Sequence, residues 1–195
     1  GAEDAVDEKK NYLILSHRTV SEKLAPIPSL LAVAAVHHHL IKNKKRMQIG
    51  IIVETADARE VNHFALLLGY GASVVNPYGA FGAIDYMVNE GIIGMEYKEA
   101  RKNYIKSIDK GLLKIFSKMG ISTLRSYHGS QIFEAVGISR EVIDQYFTGT
   151  ASKINGMGLE EIHREVMMFH EKAYTPDKAD ESSLFESSGT TAWRK

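Results

Sequence analysis

The chain has 195 residues, with 24 basic and 24 acidic residues, 44% hydrophobic residues and no cysteine. That balance fits one globular domain, or one domain and the start of a neighbour. The missing cysteines exclude disulfides, thiol catalysis and cysteine-ligated metal centres from this sequence, and the zero net charge is unlike a nucleic-acid binder.

No apolar run approaches the roughly 20 residues of a membrane span, and the first ten residues have no signal-peptide core. The expectation is a cytoplasmic protein with no membrane and no nucleic-acid partner. Residues 12–15 read as a short buried strand. Pro28 interrupts any regular element, and Ser29 is placed to cap an alanine-rich helix over residues 30–42, which closes on lysines and an arginine. Residues 48–53 are nearly all apolar, as in parallel strands covered on both faces. Thr55 or Asp57 is placed to cap a helix reaching Leu68, which Gly69 and Gly71 end. A third strand over 72–75 stops at Asn76-Pro77. Strand–helix alternation of this kind predicts an α/β fold, a mostly parallel sheet with flanking helices, open or half-barrel in form.

Helices are predicted over 80–89 and 96–118, the latter with Ile105, Ile108, Leu112 and Ile115 on one face. Residues 120–123 read as the opening of a fourth strand. Short helices are expected over 130–135 and 139–146, with a strand end or turn at 147–150. A closing helix over 159–174 carries Ile162, Val166 and Phe169 on one face. Residues 1–174 therefore form one α/β domain, and the serine-rich, polar stretch 175–195 reads as a linker or tail.

Binding loops of parallel sheets lie at the carboxyl ends of the strands. This makes Glu54, Asn76, Tyr78, Ser126, Tyr127, Thr148, Thr150 and Ser152 the candidate interface or ligand-loop residues. Thr148 to Ser152, with Gly156 and Gly158 before a helix, could cradle an anion, although a structural turn explains them as well. His37-His38-His39 does not make a metal site, because consecutive helical residues point about 100° apart. His163 and His170 read as part of a solvated helix face. Ser126-Tyr127-His128 holds a serine and a possible base, but no nucleophile–base pair is assigned there. No catalytic, cofactor-binding or metal residue is assigned.

A family resemblance runs in one register from Tyr12 to Tyr174. It is carried by Pro26-Ile-Pro-Ser-Leu-Leu-Ala-Val-Ala-Ala-Val-His-His-His-Leu40, His63-Phe64-Ala65, Gly69-Tyr-Gly-Ala72 and Asn76-Pro77-Tyr78. Asn103-Tyr-Ile-Lys106, Ser117-Lys-Met-Gly-Ile-Ser-Thr123, Gln131-Ile-Phe-Glu-Ala-Val-Gly137 and Phe147-Thr-Gly-Thr150 continue it. These stretches resemble the central domain of the glutamate synthase large subunit. His17, Asn62 and His128 depart from the residues usual in that family, and the tail around Trp193 and Arg194 is similar to the lead-in to its FMN-binding domain. The resemblance implies a non-catalytic connecting domain. It would join a glutamine amidotransferase domain to an FMN-binding domain and help to form the ammonia path between them. It implies that FMN and an iron–sulfur cluster belong to another domain of the parent enzyme. The alternatives are a small-molecule module for an anion or nucleotide, and an assembly partner of a split synthase.

Overall fold

The computed structural model describes residues 1–174, so the expected tail at 175–195 lies outside the described residues. The order begins with α1 (Ala2–Asp7), β1 (Tyr12–Ser16), α2 (Ser29–Lys42), β2 (Gly50–Glu54), α3 (Val61–Gly69) and β3 (Val74–Asn76). It continues with α4 (Tyr78–Asn89), α5 (Tyr97–Met119), α6 (Leu124–Tyr127), β4 (Glu134–Ile138), α7 (Arg140–Tyr146), β5 (Ala151–Met157) and α8 (Leu159–Tyr174). The α/β class is as expected, but the strands form two parallel sheets, β1-β2-β3 and β4-β5.

The first sheet is built by its apolar runs. Leu13, Leu15, Ile51, Val53 and Val75 point to one face, where Val33 of α2 and Phe64 and Leu67 of α3 cover the last four and Val6 of α1 and Leu40 of α2 cover Leu13. Ser29, Val33, Ala34, His37 and Leu40 are the buried positions of α2, at spacings that keep one helix face inward. Among the described residues, no helix covers the other sheet face. Register aligns Ile14, Ile52 and Val74 across it, and Tyr12 and Ile14 are 64% and 58% exposed. This corrects two expectations: β1 is a half-open edge strand rather than a buried one, and the sheet is sheltered on one face only.

The helix starts also differ from expectation. Ser29 is the first residue of α2 rather than its cap. Asp57 supplies the cap from a distant loop, its Oδ2 accepting from the Ser29 amide at 3.0 Å. α3 begins after Glu60, so neither Thr55 nor Asp57 caps it. Gly111 of α5 sits so close to Val61 of α3 that any side chain there would collide, which fixes the crossing of these helices.

Residues 120–123 are not a strand. Gly120 takes φ +67° and closes α5 in the left-handed conformation, and Thr123 Oγ1 accepts from the Ser126 amide to start α6. Residues 134–138 are a strand where a helix over 130–135 was expected. Pairing with β5 overrides the helical preference of Glu134 and Ala135. Residues 147–150 form the turn before β5, with the Thr150 amide bonded to the Phe147 carbonyl at 2.9 Å. In α8, Phe169 is exposed and His170 takes the inward place after Ile162 and Val166. His170 Nε2 donates to the Ser21 carbonyl at 2.8 Å, so this histidine packs rather than lying on a solvated face.

Candidate functional site

Three of the candidate residues meet at the carboxyl end of the first sheet. Glu54 and Asn76 end adjacent strands in register with Ser16. The Glu54 carboxylate accepts from Ser16 Oγ at 2.8 Å, Arg18 Nε at 3.1 Å and Asn76 Nδ2 at 3.2 Å. Ser16 and then Arg18, through these bonds, hold the Glu54 carboxyl below its usual range. The Arg18 guanidinium lies 4.7 Å from the Tyr78 ring centre, a cation–π contact. Beneath this cluster, Ser29 Oγ donates to Thr55 Oγ1 at 2.6 Å, and Thr55 Oγ1 accepts from the Asp57 amide at 2.9 Å. His17 Nε2 donates to the Ile27 carbonyl at 2.8 Å. Ser16 and Arg18 stand at the carboxyl end of the first strand, where binding loops are expected, but were not among the candidate residues, and Ser29 was expected only as a helix cap. For Ser16 and Arg18 the available signal was their place at the end of the first strand, where Ser16 is in register with Glu54.

The cluster is a fixed ionic surface with no activated nucleophile. Glu54 is held as a carboxylate by three donors, which suits recognition and not proton transfer at neutral pH.

The other candidates lie apart from it. Tyr127 is fully buried, its ring 4.3 Å from Phe116 and 6.5 Å from Phe133. Ser126 turns the other way and bonds Thr123 Oγ1 at 2.9 Å. Thr148 Oγ1 donates to the Asp144 carbonyl at 3.0 Å and Ser152 Oγ to the Ile154 carbonyl at 3.3 Å. Thr150 Oγ1 and Tyr70 Oη are 2.6 Å apart, joining the second sheet to the first. The hydroxyls expected to cradle an anion are thus engaged within the chain. The start of α8 is engaged too, because the Gly158 amide donates to Glu161 Oε2 at 2.9 Å. Gly156 faces the Gly137 backbone too closely for any side chain, so it serves strand contact rather than a ligand.

The three consecutive histidines part as helix geometry requires. His37 Nδ1 accepts from Arg46 Nε at 2.8 Å, and burial followed by the Arg46 charge pushes its pKa down to about 3. His38 lies against a cavity of about 260 Å³ shared with Tyr70, Gln131 and Thr150. Burial lowers its pKa. His39 meets Glu3 at 2.6 Å on the surface. No group of three metal-binding side chains occurs among the described residues, nor is any helix there long and apolar enough to cross a membrane.

Comparison with known proteins decides the family. The model of the glutamate synthase central domain matches residues 1–139. The chain belongs to the glutamate synthase central domain family. The large chain of the NADPH glutamate synthase of Bacillus subtilis is 49% identical over 193 residues, 99% of this chain and 12% of that relative. The NADH glutamate synthase of Saccharomyces cerevisiae is 42% identical over 181 residues, covering 89% of this chain and 8% of the relative. The ferredoxin-dependent glutamate synthase 1 of Arabidopsis thaliana, chloroplastic or mitochondrial, is 45% identical over 190 residues, 90% of this chain and 12% of the relative. The chain therefore spans about an eighth or less of these relatives. The central-domain match ends just after β4, so β5 and α8 lie beyond it, while the matches to whole synthases continue through both.

Proposed function

We propose that this stretch is the connecting domain of a glutamate synthase, an enzyme making glutamate from glutamine and 2-oxoglutarate. It joins a glutamine amidotransferase domain to an FMN-binding domain and walls part of the ammonia path. Residues 1–174 act as one α/β unit in this role. FMN and the iron–sulfur cluster belong to another domain, and the chain holds no cysteine to ligate a cluster. The parent protein works in the cytoplasm.

The observation that carries this reading is that most of the candidate residues are satisfied within the chain, the buried Tyr127 Oη being an exception. Glu54, Asn76, Thr148, Thr150 and Ser152 spend their polar groups on the chain itself. The Arg18–Tyr78 pair, beside Glu54, then serves as a docking surface for a neighbouring domain. A path that carries ammonia must exclude water, which calls for rigid walls rather than reactive groups.

The test is coupling in a full-length synthase. Arg18→Ala with Tyr78→Ala raises the ratio of glutamine hydrolysed to glutamate formed several-fold, with synthesis from free ammonia unchanged. Equal loss of both activities contradicts the connecting role. Independently, FMN, 2-oxoglutarate and glutamine leave the Tm of the 195-residue chain unmoved. A ligand at about 100 times its Kd would stabilise by about 2.7 kcal/mol, so a binding module would declare itself.

A further inference from the structure

The outer edge of β1 is the least finished part of the first sheet. Its inner edge is used fully. The Gly50 amide donates to the Asn11 carbonyl at 2.9 Å and the His17 amide to the Glu54 carbonyl at 3.0 Å. By the alternation of a parallel ladder, Leu13, Leu15 and His17 aim their amides at β2, and Tyr12, Ile14 and Ser16 aim theirs outward. Among the described residues no strand pairs with that side. The sequence Tyr-Leu-Ile-Leu-Ser has none of the usual edge protection, being without proline, lysine or bulge. Alongside lies a cavity of about 350 Å³, floored by Leu15, Ala32 and Val53 and rimmed by Leu24 and Ile27.

Topology says what belongs there. β1, β2 and β3 are parallel and in sequential order, and the crossover helices α2 and α3 cover one face. A right-handed crossover into β1 would come from a strand on the side away from β2, through a helix lying beside α2. α1 occupies that helix position. It leads into β1, and its Val6 packs with Leu40 of α2, Ile49 and Leu13. Asp7, its last residue, holds Lys45 just beyond the end of α2 at 2.7 Å. The two helices thus finish at the same end of the sheet, as successive crossover helices do.

We propose that α1 is the close of a crossover helix, and that in the longer polypeptide the strand preceding it adds in parallel to the open edge of β1. One row of that strand's side chains, apolar in character, fills the 350 Å³ cavity. The occupant is a segment of the same polypeptide rather than a separate partner, because relatives extend far beyond this stretch, which spans only 12% of the Bacillus subtilis protein. The inference rests on the reading of the chain as part of a longer synthase.

Amide hydrogen exchange compares the 195-residue chain with a full-length glutamate synthase carrying the same stretch. The amides of Tyr12, Ile14 and Ser16 exchange at open-edge rates in the short chain and slow by about a hundredfold or more in the long one. Equally fast exchange in both overturns the proposal. So does slow exchange in the short chain that grows with protein concentration, since a second copy would then hold the edge. Ile14→Pro supplies a second arm, because it removes only an outward amide. The short variant keeps its Tm, whereas protection of Tyr12 and Ser16 collapses in the full-length variant. Protection that survives Ile14→Pro signals cover by a loop and overturns the strand. If the short variant fails to fold, exchange in the unsubstituted proteins still decides. These readouts do not depend on ammonia coupling, so either proposal can fail alone.

Discussion

The two parallel sheets of this chain are built on the same pairing rule and reach different degrees of closure. In the first, Ile51 and Val53 are enclosed by α2 and α3 and sit in the main core. In the second, the partners Val136 and Ile154 are 66% and 58% exposed, and the register shifts on both sides of Val136. The second sheet leans on the first through Tyr70, whose ring contacts Phe133 and Phe147 and whose hydroxyl meets Thr150. Parallel pairing alone, then, does not make a core. Among the described residues, α2 and α3 close a core over the first sheet, whereas α7 and α8 touch the second and leave Val136 and Ile154 open.

The sharpest way to break this comparison is to remove the same atoms from each sheet. Ile51→Ala should cost about 2–5 kcal/mol, the range for a large-to-small change in a closed core. Ile154→Ala should stay within about 0.5 kcal/mol in the isolated chain. Urea denaturation of the two variants measures both. Similar costs would mean that the second sheet is as closed as the first.

Gly71 lies at the seam. Its φ of +111° is in the region that disfavours side chains, and a Cβ there would overlap the His37 ring. Gly71→Ala should therefore destabilise by about 2–3 kcal/mol, read as a lowered urea midpoint.

The same seam gives a pH dependence. His37 has its pKa lowered to about 3 in the fold, against 6.5 for the ordinary group. The unfolded chain binds this proton more readily than the native one between those values. The stabilisation is thus complete above about 6.5 and is lost as pH falls toward about 3. Its slope approaches about 1.4 kcal/mol per pH unit for one proton, less whatever solvent screening removes. The lowered pKa values of His38 and His128 act in the same direction. Denaturation curves at several pH values should flatten in His37→Gln, which keeps an acceptor for Arg46.

Tyr70→Phe tests the link between the sheets. It leaves the aromatic contacts and removes the hydroxyl from the buried Thr150. The expected cost is about 1–2 kcal/mol, because Thr150 then lacks a partner. Faster exchange confined to β4, α7 and β5 would identify the second sheet as the part released.

The contrast between the sheets also explains what the sequence disclosed. β1, β2 and β3 announce themselves as apolar runs punctuated by Pro28, Gly71 and Pro77, although enclosure takes only their helix-facing side chains and leaves Tyr12, Ile14 and Val74 exposed. Glu54, Asn76 and Tyr78 follow from the rule that loops gather at strand ends, and the structure does bring them together. β4 lacks that signal. Its run of Glu134, Ala135 and Val136 carries no continuous apolar stretch, and pairing with β5 makes it extended. Residues 120–123 misled for the opposite reason: Ile121 and Thr123 look like strand residues, while Gly120 and the Thr123 hydroxyl are spent on the ends of two helices. Asp57 capping α2 from across the sheet was invisible locally, since the cap comes from a residue 28 positions away.

The smallest expected effect has the opposite sign and separates local from tertiary control. Gly82 lies within α4, outside the left-handed region, and a Cβ added there would meet nothing within 4 Å. Glycine inside a helix costs about 0.5–1 kcal/mol relative to alanine, mostly through the freedom of the unfolded chain. Gly82→Ala should thus stabilise by that amount, raising the urea midpoint without changing the slope. Gly71→Ala makes the same chemical change and should move the midpoint the other way. If both substitutions shift it alike, backbone freedom rather than the packing of His37 governs the seam, and the division of the molecule into an enclosed and an open sheet loses its energetic meaning.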